Sequence, residues 1–441
     1  MTTPCTVILS DIHLAATRAV FKQERALTAF LGRLAQAGPC ELVFAGDTFD
    51  FLLTPGYTGF SASKAAEHMA AILAAQDKVV QGAQESVVAG LRRFASEPSH
   101  EITLLSGNHD PEVLLPTVRE VFERTIGRVG SVRYDETLLP GPGERWPVYG
   151  RALPGSIWVV HGDRWDPSNA IDREAILKGR DIVLPAGSDL VYQILAPLQH
   201  IYPWIFEIKP ELHAVLPLLL YLDYQRTTDF LVSHFNLTGR LLRNQVESKL
   251  HASVELFGAD QRPAVHEPAD VSEVLAGALS KVLSQEPSAS QQVLLAGLED
   301  WFQWGSPAAD TLASHSGVGR WLLRTWIELL GQNRGIQSLA RDGSDPILVA
   351  ASRCALGHAN VVIAGHTHGP RALKKDNLCY INTGTWVPVG DIPNGPVDQV
   401  IDRLEQGAVW PSHTPRTFAR VEGSDFWLGS CEPDGTQRKI S

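Results

Sequence analysis

The sequence has no excess of basic residues with which to hold a polyanion. It contains 38 lysines and arginines against 49 aspartates and glutamates, a formal net charge of −11 at pH 7. Non-specific contact with nucleic acid requires a basic surface. The composition therefore argues against nucleic acid as a partner.

Cysteine is also scarce, and its spacing excludes two kinds of site. The cysteines form no CxxC pair and their number is odd, so neither a disulfide framework nor a zinc–thiolate site is supported. Scattered thiols are typical of reduced, cytosolic proteins. The five residues are Cys5, Cys40, Cys354, Cys379 and Cys431.

No long apolar run predicts a membrane-spanning helix. The longest charge-free apolar stretch, 190–206, contains Pro197, His200 and Pro203, which suit a transmembrane helix poorly. The first residues show no basic segment followed by an apolar one, so we expect no secretory signal. We therefore predict a cytoplasmic protein.

The first third of the sequence alternates short β-branched runs with longer helical patterns. The predicted helices cover 21–36 and 63–94. The alternation indicates an α/β domain. A polar cluster follows each predicted strand, at the strand ends where open α/β sheets bind ligands. The predicted strands are 7–9, 42–45, 102–105 and 157–160.

The length of the chain and a change of pattern predict two parts. A chain of 441 residues is longer than one hydrophobic core usually supports. After the first third the pattern is helical without strands, and the α/β pattern resumes near residue 346. We predict an α/β core over 1–168 and 345–425, a mainly helical insertion (cap) over 169–344 and a C-terminal tail over 426–441.

Seven side chains at the predicted strand ends are candidate metal ligands. They offer carboxylate, imidazole and amide donors, a set that suits manganese, iron or zinc. Seven donors are too many for one ion and suit two ions that share a carboxylate. The seven are Asp11, His13, Asp47, Asn108, His161, His366 and His368.

Glycine precedes a candidate ligand at three of these strand ends. Gly46 precedes Asp47, Gly107 precedes Asn108, and Gly365 precedes His366. Because glycine adopts backbone conformations that other residues avoid, we expect these glycines to let the chain turn tightly.

Five motifs in this order resemble those of the calcineurin-like metallophosphoesterase superfamily. The resemblance covers roughly 5–166 and 345–390, and all five motifs are intact. It implies a four-layer αββα sandwich with two metal ions at its rim. The motifs are Asp11-Ile12-His13, Gly46-Asp47-Thr48-Phe49-Asp50, Gly107-Asn108-His109-Asp110, His161-Gly162 and Gly365-His366-Thr367-His368.

The same resemblance implies that the cofactors are two metal ions (manganese, iron or zinc) bridged by Asp47. The first ion would be held by Asp11, His13, Asp47 and His368. The second ion would be held by Asp47, Asn108, His161 and His366.

The chemistry implied is hydrolysis of a phosphate mono- or diester by a hydroxide that bridges the ions. His109 is not itself assigned to an ion, and we predict that it protonates the leaving oxygen or stabilises charge on the phosphoryl group. Asp50 is predicted to pair with His109 and fix its tautomer. Asp110 either plays a similar supporting role or caps a helix.

Three side chains are predicted to contact the phosphoester substrate. Two are Asn108 and His109, at the predicted ion site. The third is Arg164, which follows His161 on the same loop and either binds phosphate or is solvated.

The insertion holds a concentration of aromatic residues that admits two interpretations. One is packing against the α/β core. The other is a cap whose apolar groove holds a lipid or aromatic leaving group, which would resemble the lipid-A-precursor pyrophosphatases of the same superfamily and permit peripheral membrane contact. Those enzymes commonly have arginine where His109 stands. The aromatic residues are Tyr192, Tyr202, Trp204, Phe206, Tyr221 and Tyr224.

We therefore predict a dinuclear metal-dependent phosphoesterase, with three alternatives. The first is a lipid-linked pyrophosphate or phosphodiester hydrolase, with the insertion as an apolar cap. The second is a repair-type nuclease, which the net charge of −11 disfavours. The third is a binding scaffold on a decayed fold, which would lack ligands, whereas all seven candidate ligands are present.

Overall fold

Two β-sheets organise the part of the chain that the structure describes. This computed structural model describes residues 5–17, 20–134, 137–139, 148–166, 168–199, 204–207, 346–355, 357–390 and 412–441. All of these residues belong to one compact unit. Helices accompany both sheets, so the predicted α/β class is confirmed.

The strands of the described residues are short and number seventeen. They are β1 (Cys5–Leu9), β2 (Leu14–Ala15), β3 (Cys40–Ala45), β4 (Phe49–Asp50), β5 (His100–Leu105), β6 (Val132–Arg133), β7 (Thr137–Leu138), β8 (Tyr149–Leu153), β9 (Ile157–Val159), β10 (Val361–Ala364), β11 (Arg371–Lys375), β12 (Leu378–Asn382), β13 (Val389–Gly390), β14 (Ser412–His413), β15 (Thr417–Glu422), β16 (Asp425–Cys431) and β17 (Gln437–Lys439).

Each of the two large sheets contains a parallel centre. The seven-stranded sheet has the order β17-β16-β15-β1-β3-β5-β6, with β1, β3, β5 and β6 parallel. The six-stranded sheet has the order β11-β12-β10-β9-β8-β7, with β9, β10 and β12 parallel. Two small pairs, β2 with β4 and β13 with β14, complete the pairing among the described strands.

Eight α-helices lie within the described residues. None of these helices is long and apolar enough to cross a bilayer. A π-helical turn, Val191–Leu195, joins the sixth to the seventh. The helices are α1 (Glu24–Ala35), α2 (Ala65–Gln76), α3 (Val87–Ser96), α4 (Pro116–Ile126), α5 (Arg173–Leu177), α6 (Ala186–Leu190), α7 (Ala196–Leu198) and α8 (Pro346–Cys354).

The sheets pack against each other through aliphatic side chains. Ile8 and Val43 of the seven-stranded sheet share one buried cluster with Val159 and Ile363 of the six-stranded sheet. Central parallel strands are covered on both faces, which explains their near-continuous apolar sequence. Burying each such side chain contributes roughly 1.5–3 kcal/mol relative to leaving it exposed.

Helices cover the other face of each sheet. On the seven-stranded sheet, Phe30 of α1 lies 5.0 Å from Phe418 of β15, measured between ring centroids. On the six-stranded sheet, Leu348 and Ala351 of α8 share a second buried cluster with Val362 of β10. The amphipathic helical patterns in the sequence are therefore accounted for by burial against the sheets.

The predicted helix over 63–94 is wrong, because two helices occupy this range. Helix α2 ends at Gln76 and α3 begins at Val87. Between them Gly82 has a φ of +84°, which no continuous right-handed helix allows. The Ser86 side chain accepts a hydrogen bond from the Ala89 backbone N–H at 3.0 Å and so caps a new helix.

The predicted domain limits differ from the structure at two places. Residues 426–441, expected to be a tail, include most of β16 and all of β17, which extend the seven-stranded sheet. Residues 169–199 and 204–207, expected in the insertion, belong to the same compact unit as the sheets. The rest of the insertion, including Tyr202, Tyr221 and Tyr224, lies outside the described residues.

Candidate metal centre

The predicted ligands follow the carboxyl ends of five parallel strands drawn from both sheets. They follow β1, β3 and β5 in one sheet and β9 and β10 in the other. The loops bond directly to one another: the Asp11 backbone N–H donates to Gly46 O at 3.2 Å, and the Gly365 N–H donates to His161 O at 2.9 Å. The sheet packing therefore brings segments more than 350 residues apart in sequence, such as Asp11 and His366, into one site.

The backbone at these ligands is strained. Among the described residues, eight other than glycine have a positive φ, and five of them are predicted ligands. Such conformations cost about 1–3 kcal/mol each and persist where the surroundings determine them, which is often at functional sites. The five are Asp11 (51°), His13 (56°), Asp47 (50°), His366 (70°) and His368 (57°).

The three glycines before the ligands serve two different purposes. Only Gly46 has the positive φ (+87°) that a tight left-handed turn requires. At Gly107 a Cβ would collide with the Asp47 carboxylate and lie 2.5 Å from the Asp47 nitrogen. At Gly365 a Cβ would lie 2.5 Å from Asp11 Oδ2. For Gly107 and Gly365 the expected turning role is therefore wrong, and their role is close approach to a ligand.

We expect Gly107→Ala to disturb the site without removing any polar group. The added methyl must displace Asp47, at a cost of about 1–3 kcal/mol for overpacking. Metal affinity measured by calorimetry should fall together with the unfolding temperature. Gly90→Ala is the matched control, since its Cβ, within a helix, would come no closer to any atom than 3.3 Å, from the flexible Leu31 side chain. Unchanged metal affinity in Gly107→Ala would contradict this account.

One group of ligand atoms forms around Asp11, His13 and His368. The His368 Nε2 lies 3.2 Å from Asp11 Oδ1 and 3.3 Å from His13 Nε2. His13 Nδ1 donates to Asp50 Oδ2 at 3.0 Å, so the neutral ring presents the lone pair of Nε2 to the group. Ligand atoms about 2.0–2.2 Å from a shared zinc-like ion stand roughly 3–3.5 Å apart. These spacings therefore fit a bound cation.

A second group forms around Asp47, Asn108 and His161, with a ring nitrogen of His366 nearby. His161 Nδ1 donates to the carbonyl oxygen of Ala45 at 3.0 Å, which leaves the Nε2 lone pair of the neutral ring directed inward. That nitrogen faces two acceptors, Asp47 Oδ2 at 3.3 Å and Asn108 Oδ1 at 3.3 Å. Asp47 Oδ2 and Asn108 Oδ1 only accept, so the position between them and the His161 nitrogen needs either a proton or a metal ion.

The charges of the buried groups also favour a bound cation. Burial would raise the pKa of Asp11 and of Asp50, but nearby imidazoles lower each to about 2. Burial would lower the pKa of His161, but Asp47 outweighs it and raises the value to about 10. Buried carboxylates need a compensating charge. A proton on His161 provides part of it in the metal-free protein, and a metal ion would replace that proton.

Asp47 lies between the two groups in the way that a bridging ligand requires. Its Oδ1 accepts the His109 backbone N–H at 2.8 Å. Its Oδ2 lies 3.3 Å from His161 Nε2 and 4.0 Å from His13 Nε2. One oxygen is therefore fixed by the backbone, and the other faces both groups.

His109 and Asp50 are in contact, as the sequence predicts. His109 Nδ1 donates to Asp50 Oδ2 at 3.1 Å, and His13 Nδ1 donates to the same oxygen. The His109 side chain is 15% exposed, whereas that of His13 is 4% exposed. Of the two imidazoles on Asp50, His109 is thus the one closer to solvent.

The structure decides between the two roles expected for Asp110. Its carboxylate does not cap the 3-10 helix that follows it. It accepts four backbone N–H groups, at 2.6 Å from Gly107, 3.1 Å from Asp47, 2.8 Å from Thr48 and 3.1 Å from Phe49. Asp110 therefore ties the loop after β5 to the loop after β3.

Arg164 lies in a 3-10 turn, Asp163–Trp165, directly after His161 and Gly162. It lines a cavity of about 370 Å³ together with Tyr149, Trp165 and Arg180. The side chain is half-buried. Its contact with a substrate phosphate stays a prediction.

Sequence reasoning missed residues that hold the ligand loops in place. Arg173 forms two hydrogen bonds to the buried Asp163 carboxylate, at 2.8 and 2.9 Å, and one to the Ser106 carbonyl oxygen at 2.8 Å. Asn382 donates to Gly365 O at 2.8 Å. The polar run after His161, which includes Asp163 and Asp166, was a readable signal for part of this set.

Comparison with protein-family models and with curated proteins finds no match for this chain. The geometry of the site therefore carries the functional argument.

Proposed function

We propose that the chain is a dinuclear metal-dependent phosphoesterase that hydrolyses phosphate mono- or diesters. The observation that carries the proposal is the convergence of imidazole nitrogens and carboxylate oxygens in two adjacent groups, with Asp47 Oδ2 between them. Imidazole, carboxylate and amide donors without thiolate suit manganese, iron or zinc.

The layer arrangement supports the same proposal. Helices lie outside two sheets whose inner faces share one buried core. We take this as the four-layer sandwich that the motif resemblance implies. In such a fold the ligands would stand at the rim, after the carboxyl ends of the parallel strands, which is where α/β sheets bind ligands.

Each residue of the site would have a separate task. When bound, two ions would supply an activated water and neutralise charge on the phosphoryl oxygens. Asp50 holds His109 through Nδ1, which leaves Nε2 as the ring atom that can deliver a proton to the leaving oxygen. The pKa of Asp50, about 2, keeps its carboxylate ionised, so that it accepts the hydrogen bond from His109 Nδ1.

Metal analysis and hydrolysis assays on the full chain test the proposal. We expect two ions per chain after expression with manganese, and hydrolysis of p-nitrophenyl phosphate or its diester. A chelator should abolish the activity, and Mn²⁺, Fe²⁺ or Zn²⁺ should restore it. A folded protein that binds no metal, and gains no activity from any of the three ions, would overturn the proposal.

Further substrates in the same assay separate the alternatives. Single-stranded DNA tests a nuclease, and a lipid-linked pyrophosphate tests a lipid phosphohydrolase. A rate on either that exceeds the rate on the nitrophenyl esters would redirect the substrate class without changing the metal chemistry.

A further inference from the structure

Asp166 and Asn169, in the loop after β9, form hydrogen bonds to two predicted ligands of the second ion. Asp166 Oδ2 lies 3.0 Å from His366 Nε2 and accepts the Asn169 side-chain amide at 2.7 Å. The oxygen of the same Asn169 amide accepts from Asn108 Nδ2 at 3.4 Å. A continuous chain of hydrogen bonds thus joins His366, Asp166, Asn169 and Asn108.

The direction of these hydrogen bonds is fixed from one end. A carboxylate only accepts hydrogen bonds, so the Asn169 group that faces Asp166 must be its NH₂. The Asn169 oxygen then faces Asn108 and requires the NH₂ of Asn108 on that side. Consequently Asn108 directs its Oδ1 inward, where it lies 3.3 Å from His161 Nε2.

The inward atom of Asn108 determines whether this residue can bind a cation. An amide oxygen is a metal ligand, whereas an amide NH₂ only donates hydrogen bonds. A half-turn of the Asn108 amide would place the NH₂ toward the ion. Asp166 also accepts from His366 Nε2, which leaves Nδ1 as the ring nitrogen with the lone pair.

We propose that Asp166 and Asn169 are positioning residues for the second ion: Asp166 orients His366 directly and orients Asn108 through Asn169. The proposal rests on the proposed function, since it presupposes that the ions bind. Hydrogen bonds of this kind to metal ligands typically change affinity by roughly 10–100-fold.

The loop is held rigidly enough to transmit this orientation. The Asn169 N–H donates to Asp166 O at 2.9 Å, which closes a turn between the two residues. On the far side α6 leaves no spare room, because a Cβ at Gly187 would collide with the Asn169 oxygen and lie 2.8 Å from its Cγ. The neighbouring Ser188 hydroxyl donates to the Asn108 carbonyl oxygen at 3.1 Å. Both α6 contacts come from residues that the sequence assigns to the insertion.

Calorimetric titration of the metal-free full chain with Mn²⁺ tests the proposal. For the unaltered chain we expect two binding events. Asn169→Leu, which keeps the number and branching of the side-chain heavy atoms, removes both hydrogen-bonding groups and adds no charge, should weaken one event by about 10-fold or more and leave the other unchanged. Asp166→Asn should weaken the same event at least as much, because it affects both His366 and Asn108.

Combining the two substitutions tests whether they act in one chain. If Asn169 is oriented by Asp166, the double variant should lose little more than Asp166→Asn alone. Asp172→Asn is the matched control, since Asp172 caps α5 in the same segment and should leave both events intact. Gly187→Ala, which crowds Asn169 without removing a polar group, should reproduce the effect of Asn169→Leu.

The outcomes separate the two proposals. If the unaltered chain binds no Mn²⁺, both proposals are overturned. If the unaltered chain binds two ions and Asn169→Leu binds them equally well, the positioning role is wrong and the phosphoesterase proposal stands. Equal weakening of both events, together with a lowered unfolding temperature, would mean that the loop supports the fold rather than one ion. Two intact binding events without hydrolysis would overturn the function and leave the positioning role in place.

Discussion

Asp47→Asn is expected to remove hydrolysis and to weaken both ions. Its Oδ2 faces both ligand groups, and its Oδ1 is already engaged by the His109 backbone. An amide retains the size of the side chain but loses the charge that would bind the ions. Bound ions stabilise the transition state by several kcal/mol. Losing that stabilisation lowers kcat by roughly 10³-fold or more.

The measurements are metal content after dialysis and the rate on a nitrophenyl ester. Asp77→Asn is a suitable control, because Asp77 pairs with Arg92 on the surface. The same isosteric change there should leave metal content and rate unaltered. If Asp47→Asn lost only one ion, Asp47 would be a ligand of that ion alone, and the bridging assignment would be wrong.

The strand ends were predictable from the sequence because each one combines two local signals. A buried apolar run followed by a polar cluster is visible at Leu9 and Asp11, and again at Ala45 and Asp47. The motif order then implied that these ends share a site. The side chains of the predicted ligands do approach one another in two groups.

Residues that act across long sequence distances were not predictable in the same way. Asp110 was assigned two possible roles, since nothing local shows that its carboxylate reaches Thr48 and Phe49 on another loop. Asp166 contacts His366, 200 residues away in sequence. The parallel pairing of β3 with β5, and of β9 with β10, places these loops side by side, and neither pairing is visible in the local sequence.

The segment 426–441 illustrates a limit of pattern reading. Strand β16 pairs antiparallel with β15, and β15 pairs with β1, whose residues lie about 400 positions earlier. The pairing of β15 with β1 leaves no local signal, whereas the two-residue turn Gly423-Ser424 between β15 and β16 was a readable one. The break between α2 and α3 was also readable, because Gly82 and Ser86 are residues that commonly end and begin helices.

His109→Ala is expected to separate catalysis from metal binding. His109 and His13 donate to the same oxygen of Asp50, but only His13 also contributes to a ligand group that includes Asp11 and His368. His109→Ala should therefore retain both ions and lower kcat by about 10²–10⁴-fold, the usual range for loss of a proton donor. His13→Ala is the matched comparison, and it should lose metal.

The leaving group provides the decisive measurement for His109. A nitrophenolate departs without protonation, whereas an alkoxide needs a proton as it departs. The loss of kcat in His109→Ala should therefore be small on p-nitrophenyl phosphate and large on an alkyl phosphate. Equal losses on both esters, with metal content intact, would assign His109 to charge stabilisation on the phosphoryl group instead of proton transfer. Loss of metal in His109→Ala would instead place the His109 ring among the metal ligands. His109, His13 and Asp50, whose ligand atoms lie close together, would then hold one ion.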